Sequence, residues 1–435
     1  MIQMGIMAGW ASPTVERLKE PGSSVLLNKD QASWVASLLN LGRFFGGILG
    51  PVATHYLGSK RSILVTMFPI AIGWLIIMLT DTYVEWLYAS RFISGLGVGM
   101  TFGSFPLYLG EVSLPQIRGA LISLAIVGSP IGQVIASVCG VYLHISTAAT
   151  AYFGLTILLI WLFFWLPESP YYYVRMKNPE RAKKSIKWYR SGKGVEEEYQ
   201  AIEKFVAQNS STSFGEKLKA LNEPSIRKAT LQIVGLFVLM QLSGVNDIMF
   251  FMETILKQAQ VNTLVSPAIF VIYVNVFCIF ASIISIFLID NCGRRILLMI
   301  SSTGTSISMA ALMYHFFSLD MSVTKAYLQW LPLAAIVLFM ASYFVGLMPV
   351  PSTILSETLP ANMKCIVSSI AMLIGSTFAF LTTKAYEPIV AVLGEAYLFM
   401  IFAAFSIVVI PYTLLSIRET KGKSLQEIQD DFMKN

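Results

Sequence analysis

Eleven apolar runs, each long enough to cross a bilayer, leave this chain very few architectures. They lie near 31–54, 62–80, 86–109, 119–143 and 148–166, and then near 229–256, 264–289, 295–318, 328–355, 365–390 and 394–417. A spanning helix needs about 20 residues, and in hydrocarbon every backbone N–H and C=O must be satisfied within the element. Helices are therefore expected throughout. Met1 to Pro13 is too short to cross alone. It is expected to be the outer half of a twelfth, first span, shortened by a truncated gene model or a misplaced start. Composition agrees: 13% of the 435 residues are charged and 55% hydrophobic, whereas soluble domains carry about 25% charged residues. A soluble fold could not hide that much apolar surface.

The net charge of +6 does not signal nucleic acid, because the basic residues sit mainly in short gaps between apolar runs. The segment 168–228 holds thirteen Lys and Arg. Lys60, Arg61, Arg118, Arg294, Arg295, Lys364 and Arg418 mark other gaps of the same parity. The positive-inside rule makes that side, and the C-terminus, cytoplasmic. Within 168–228, Asn178 followed by Pro179 predicts a capped amphipathic helix through Arg190, and Glu196 to Val206 a second. The expected domains are 1–167, a membrane bundle; 168–228, a cytoplasmic helical linker; 229–417, a second bundle; and 418–435, a cytoplasmic tail. Cys139, Cys278, Cys292 and Cys365 are scattered, with neither metal-ligand nor disulfide spacing. No cofactor or metal is expected, and no cleavable signal peptide is evident.

One charged signature is written twice. Glu111-Val112-Ser113-Leu114-Pro115 leads to Arg118, and Glu357-Thr358-Leu359-Pro360 leads over the same interval to Lys364. Gly58 to Arg61 repeats as Gly293 to Arg295, and the stretch around Glu168 repeats around Glu419, at offsets of 235 to 251 residues. Duplication with a site at the repeat interface is how many secondary transporters are built. Glu111, Arg118, Asp290, Arg294, Arg295, Glu357 and Lys364 fall at the cytoplasmic ends of predicted spans, where charges should pair with one another and with helix ends. Such pairs would join neighbouring helices across the inner mouth and bias alternating access. Arg91 stands apart, about one turn inside a span near the outer face, where it could snorkel. Gly95, Gly97 and Gly99 beside it suit close helix packing rather than phosphate binding.

Taken together, these residues resemble the sugar porter family of the major facilitator superfamily. The resemblance rests on Arg91-Phe92-Ile93-Ser94-Gly95, Tyr108 to Gly119, Pro167-Glu168-Ser169-Pro170, Gln241-Leu242-Ser243-Gly244-Val245-Asn246, Asp290 to Arg295, and Glu419-Thr420-Lys421-Gly422. Gly9-Trp10-Ala11-Ser12-Pro13 and the short first outer loop look most like insect facilitated trehalose transporters and their relatives. The resemblance implies an all-α membrane protein of two pseudo-symmetric six-helix bundles around a central sugar site. It adds Arg91, Glu168 and Glu419 to the gating and charge network. It assigns sugar binding to Gln133, Gln241, Asn246 and Asn275. Amides inside spans need partners, which a polyol's hydroxyls can supply. Ser243-Gly244 is expected to break its helix, and Pro349 and Pro351 to kink the tenth span as a gate hinge.

Several family positions differ. Met240 stands where a second glutamine is usual, Ser352 replaces a tryptophan, Gly375-Ser376 an Asn-Trp pair, and Ser59 an arginine. His55 stands where the first inner loop usually has an acid, while Cys365 and Arg418 are smaller departures. Altered selectivity or weak transport is therefore expected. Proton-driven members carry an aspartate near the position of Ala11, so facilitated uniport of trehalose, glucose, or a related hexose or polyol is favoured. His144 and His315 read as structural. The partners expected are a sugar and the bilayer, with no nucleic acid, in a monomer at the plasma membrane. A transport-deficient sensor or interaction protein on a porter scaffold is the alternative. No catalytic constellation rises above background, so an enzyme is not expected.

Overall fold

The computed structural model describes residues 1–435 apart from 24, 80–82, 115–117, 191, 193, 210–218, 262–265, 322–328, 360, 420 and 422–435. Side chains at 118–120, 123, 208, 209, 290, 361, 362 and 365 are likewise outside the described set. Eleven helices or helix pairs are long and apolar enough to cross a membrane. They are α3 (Lys29–Leu57), α4 (Ser59–Leu79), α5 (Val84–Val112), α6 (Arg118–Tyr142), α7 (Ile145–Phe164), the pair α11 (Pro224–Leu242) and α12 (Val245–Gln258), α13 (Pro267–Cys292), α14 (Arg294–Asp320), the pair α15 (Trp330–Ser342) and α16 (Pro349–Thr358), α17 (Ala361–Leu393) and α18 (Glu395–Ser416). A shorter first span is formed by α1 (Ile2–Gly9) and α2 (Ala11–Lys19). It continues past Pro13 to Lys19, six residues beyond the expected end, because Arg17 anchors it to the Gly140 and Leu143 carbonyls at the end of α6.

The helices form two bundles. In the first, α3 and α5 cross at backbone contact: a Cβ on Gly42 would lie 2.2 Å from the Phe92 carbonyl, and one on Gly95 2.4 Å from that of Leu39. The glycine run therefore packs helices, as expected. Between the bundles lie α8 (Pro170–Arg175), α9 (Pro179–Tyr189) and α10 (Val195–Asn209). The Asn178 side chain accepts from Arg181 N–H and Pro179 occupies the first turn, the cap read from sequence. These helices are docked. Arg190 donates to the Val112 carbonyl at the end of α5 (3.0 Å) and grips Glu198 through two nitrogens. Tyr108 and Tyr189 share a hydrogen bond at Pro167. Burial pushes the Tyr189 phenol up to about 12.

The bundles meet along two seams. In one, Asn40 of α3 donates to Ala379 and Thr383 of α17; in the other, Asn275 of α13 donates to Ser137 of α6 at 2.7 Å. His315 is buried and bonded to the Ala259 carbonyl, as a structural residue should be.

Candidate functional site

The break expected at Ser243-Gly244 is present and positions the central site. Gly244 adopts a left-handed φ of 80°, ending α11 and restarting the helix as α12. Across this break Gln241 and Asn246 meet: Asn246 Nδ2 donates to Gln241 Oε1 at 2.6 Å, with both residues buried. Gln133 and Asn275 line a small cavity of ≈ 10 Å³ with Gly9, Ser12, Met249 and Met252. That is room for about one water, so the site is nearly closed in this conformation. All four amides are buried rather than exposed. Gln133 Oε1 has no hydrogen-bond partner among the described residues. A Cβ added at Gly375 would sit in ordinary van der Waals contact, 3.7 Å from Phe237 and 3.9 Å from Gln241 Nε2.

Pro349 and Pro351 open α16, and the helix ahead of them loosens into a π turn at Tyr343–Leu347. A proline lacks the N–H needed for the ladder, so the preceding turn reorganises. The π turn thus lies directly ahead of the two prolines.

At the linker face the two halves repeat one device. Glu168 accepts the backbone N–H of Lys60 (2.8 Å) and Arg61 (3.1 Å), and Glu419 accepts those of Arg294 (3.0 Å) and Arg295 (3.1 Å). Each carboxylate caps the positive end of a helix dipole. Gly58 and Gly293 turn the chain at φ 93° and 90°, and a Cβ on either would strike its carboxylate. Beside this device Arg294 pairs with Glu357 at 2.7 Å. In the first half Ser59 stands in the equivalent place and donates to Glu111 at 2.7 Å. Where the second half has an ion pair, the first has a hydroxyl–carboxylate hydrogen bond. Lys364 is itself engaged, while the Arg118 and Asp290 side chains lie outside the described residues.

One expectation changes. The linker-face contacts named above lie within a bundle. Arg91 neither joins them nor snorkels: it is 1% exposed, donates to the carbonyls of Met7 (2.8 Å) and Val35 (3.1 Å), and lies 5.1 Å from the Trp10 ring. Three helices surround it, so reaching water would cost these bonds.

The bundles are instead clasped at the opposite face. Lys19 pairs with Glu387 (3.0 Å), Lys257 with Glu16 (3.3 Å) and Glu20 (2.8 Å), and Lys384 with Asp30. Ser12 accepts from Glu253 N–H at 3.1 Å. Glu387 is 23 residues along α17 from Lys364, about 35 Å of helix rise. Phe251 stacks on Tyr386 at 4.4 Å just beneath, with Lys19 5.8 Å from the Phe251 ring. Only the fold brings these charges together across the two bundles.

Two further residues escaped the sequence reading. Arg43 lies at the midpoint of α3, bonded to Asn40 (3.0 Å) and 5.4 Å from the Phe102 ring, with Nε unpartnered. Asp247, next to Asn246, is 1% exposed with both carboxylate oxygens unpartnered. A carboxylate for proton coupling was expected only near Ala11, in the first span. A charge inside an apolar run was the available signal for both, since such groups are costly and usually functional.

The family model "Sugar (and other) transporter" matches residues 4–432. The facilitated trehalose transporter Tret1 of Anopheles gambiae is 32% identical over 99% of this chain, which spans 54% of that relative, about half its length. Tret1 of Culex quinquefasciatus is 31% identical, with 98% of this chain and 82% of the relative covered. Tret1 of Bombyx mori is 30% identical, with 98% and 84% covered. The inward-open xylose transporter XylE from E. coli superposes at TM-score 0.79 with 18% identity, covering 99% of this chain and 96% of that one. XylE, a major facilitator superfamily proton:xylose symporter, bound to 6-bromo-6-deoxy-D-glucose, gives 0.76 at 18% identity, covering 99% and 97%. A duplicated pair of bundles, paired carboxylate caps and a helix broken at a glycine beside buried amides accompany that whole-length match, and the chain belongs to the sugar transporter family with the major facilitator fold.

Proposed function

We propose that this protein carries a sugar across the membrane by facilitated uniport and alternating access, with trehalose, glucose or a related hexose or polyol as substrate. The observation that carries the reading is that Gln133, Gln241, Asn246 and Asn275 are all buried, as a bonded pair and a cavity-lining pair, in two bundles joined by Lys19–Glu387 at the face opposite the linker. Opening the linker end while the Lys19–Glu387 end stays shut, then the reverse, would expose these amides to each side in turn. The proline-flanked π turn serves as the hinge. The basic gaps favour a cytoplasmic linker and C-terminus, in a monomeric plasma-membrane protein. The relatives' printed description favours flux over a transport-deficient sensor.

Purified protein in liposomes should exchange at least one of labelled trehalose, glucose, fructose or a polyol saturably; absence of flux for all of them sinks the transporter reading. Gln241→Ala strips Asn246 of its partner and the sugar of one amide. An unsatisfied buried donor costs about 1–3 kcal/mol, so the half-saturation concentration should rise about tenfold or more. Unchanged uptake would remove Gln241 from the site.

Uniport also predicts indifference to a proton gradient. Asp247 gives that measurement its force, because it is a buried titratable group next to Asn246. Uptake accelerated severalfold by an inward gradient in the wild type, but not in Asp247→Asn, would replace uniport with proton coupling through Asp247.

A further inference from the structure

A second, larger cavity of ≈ 410 Å³ lies away from the amides, at the linker end of the second bundle. It is enclosed by the starts of α11 and α14 and the end of α18, and bordered by Lys228, Arg295, Arg418 and Lys421 with a single carboxylate, Glu419. That carboxylate accepts the backbone N–H groups of Arg294, Arg295 and Lys421. Among the described residues, Arg295 directs Nη2 to the Leu414 carbonyl (2.9 Å) and leaves Nε buried without a partner, while Lys421 Nζ holds the neutral Asn291 carbonyl. Lys228 is exposed and makes no ion pair among the described residues. The lining therefore carries a surplus of positive charge.

Its rim is apolar. Leu414 is 52% and Leu415 87% exposed, on the last turn of a spanning helix. Cations at a helix end beside an outward leucine shelf match one ligand chemistry: a phosphate-bearing headgroup whose acyl chains remain in the bilayer. Basic pockets between spanning helices at the membrane surface take anionic lipid in this way. A soluble phosphate would use the cations but not the shelf.

We propose that this cavity binds the headgroup of an anionic phospholipid. Lys228, Arg295 and Lys421 contact the phosphate, and Leu414 and Leu415 contact the chains. Because Glu419 and Arg295 belong both to this cavity and to the helix-capping device, occupancy stabilises the arrangement that caps α14. Lipid composition would thereby act on the second bundle's charge cluster. The proposal does not depend on which sugar is carried.

The test uses the full chain in nanodiscs of phosphatidylcholine with and without phosphatidylinositol 4-phosphate, read by native mass spectrometry of retained lipid. Wild type should keep a phosphoinositide adduct. Lys228→Gln/Lys421→Gln, both exposed positions, should weaken it about fivefold or more per cation lost. Lys204→Gln, on the linker, should keep it. No adduct on the wild type, or equal adducts on wild type and double variant, overturns the proposal. Inorganic phosphate at millimolar concentration should leave the adduct in place; full displacement would show a soluble-anion site and overturn the lipid assignment.

Discussion

Lys19→Gln should move this protein out of the conformation seen here more strongly than any other single change at the gate. Glu387 is 4% exposed and Lys19 18% exposed, and they join the first bundle to the second across the face opposite the linker. Removing one partner of a buried pair costs about 3–5 kcal/mol. Residual exposure of Lys19 discounts that to about 2–4 kcal/mol. The penalty falls only on the state in which the bundles touch at this end, so the conformational equilibrium should shift about 30- to 1,000-fold toward opening there. A cysteine placed at Phe251, beneath the clasp, would report this as faster labelling by a membrane-impermeant thiol reagent. Glu387→Gln should act likewise, and Lys19→Gln/Glu387→Gln should cost less than the two single changes summed. Labelling rates that match wild type, or strict additivity, would mean that the clasp does not hold the bundles together.

Gly244→Val should abolish uptake. Two independent costs coincide there. The φ of 80° is left-handed, which costs a residue with a Cβ about 1–2 kcal/mol. The new Cβ would also sit 2.5 Å from the Phe402 ring, and overpacking costs about 1–3 kcal/mol more. The helix would have to straighten or shift, separating Gln241 from Asn246. Comparison with Gly375→Ala divides strain from simple added volume. Gly375 is helical and its Cβ would meet nothing closer than 3.7 Å, so that variant should fold and keep uptake within a fewfold of wild type. Full uptake by Gly244→Val, or loss of both, would show that the break is not what assembles the amide pair.

Much of this architecture was legible before any coordinates. Spans follow from apolar length, because the bilayer penalises every unsatisfied backbone group. The Asn178 cap and the Ser243-Gly244 break follow from chemistry acting within one turn of the chain. The duplicated Glu111 and Glu357 signatures pointed to paired helix ends, but that Glu111 takes Ser59 while Glu357 takes Arg294 is known only from the contacts. Arg91 was misread for a different reason. Its position in the span was correct, yet snorkelling depends on whether neighbouring helices leave a path to water, and here α1 and α3 supply carbonyls instead.

What the chain determined unaided were the quantities set by local period and local charge: where helices run, where they break, and which polar groups would be expensive to leave alone in lipid. What only the tertiary structure decided was the partner of each such group. Lys19 meets Glu387 across 368 residues of sequence, and Asn275 meets Ser137 across 138. Desolvation makes a buried charge or amide demand a partner without specifying one, and the choice is made by which helices the packing of two bundles brings within about 3 Å.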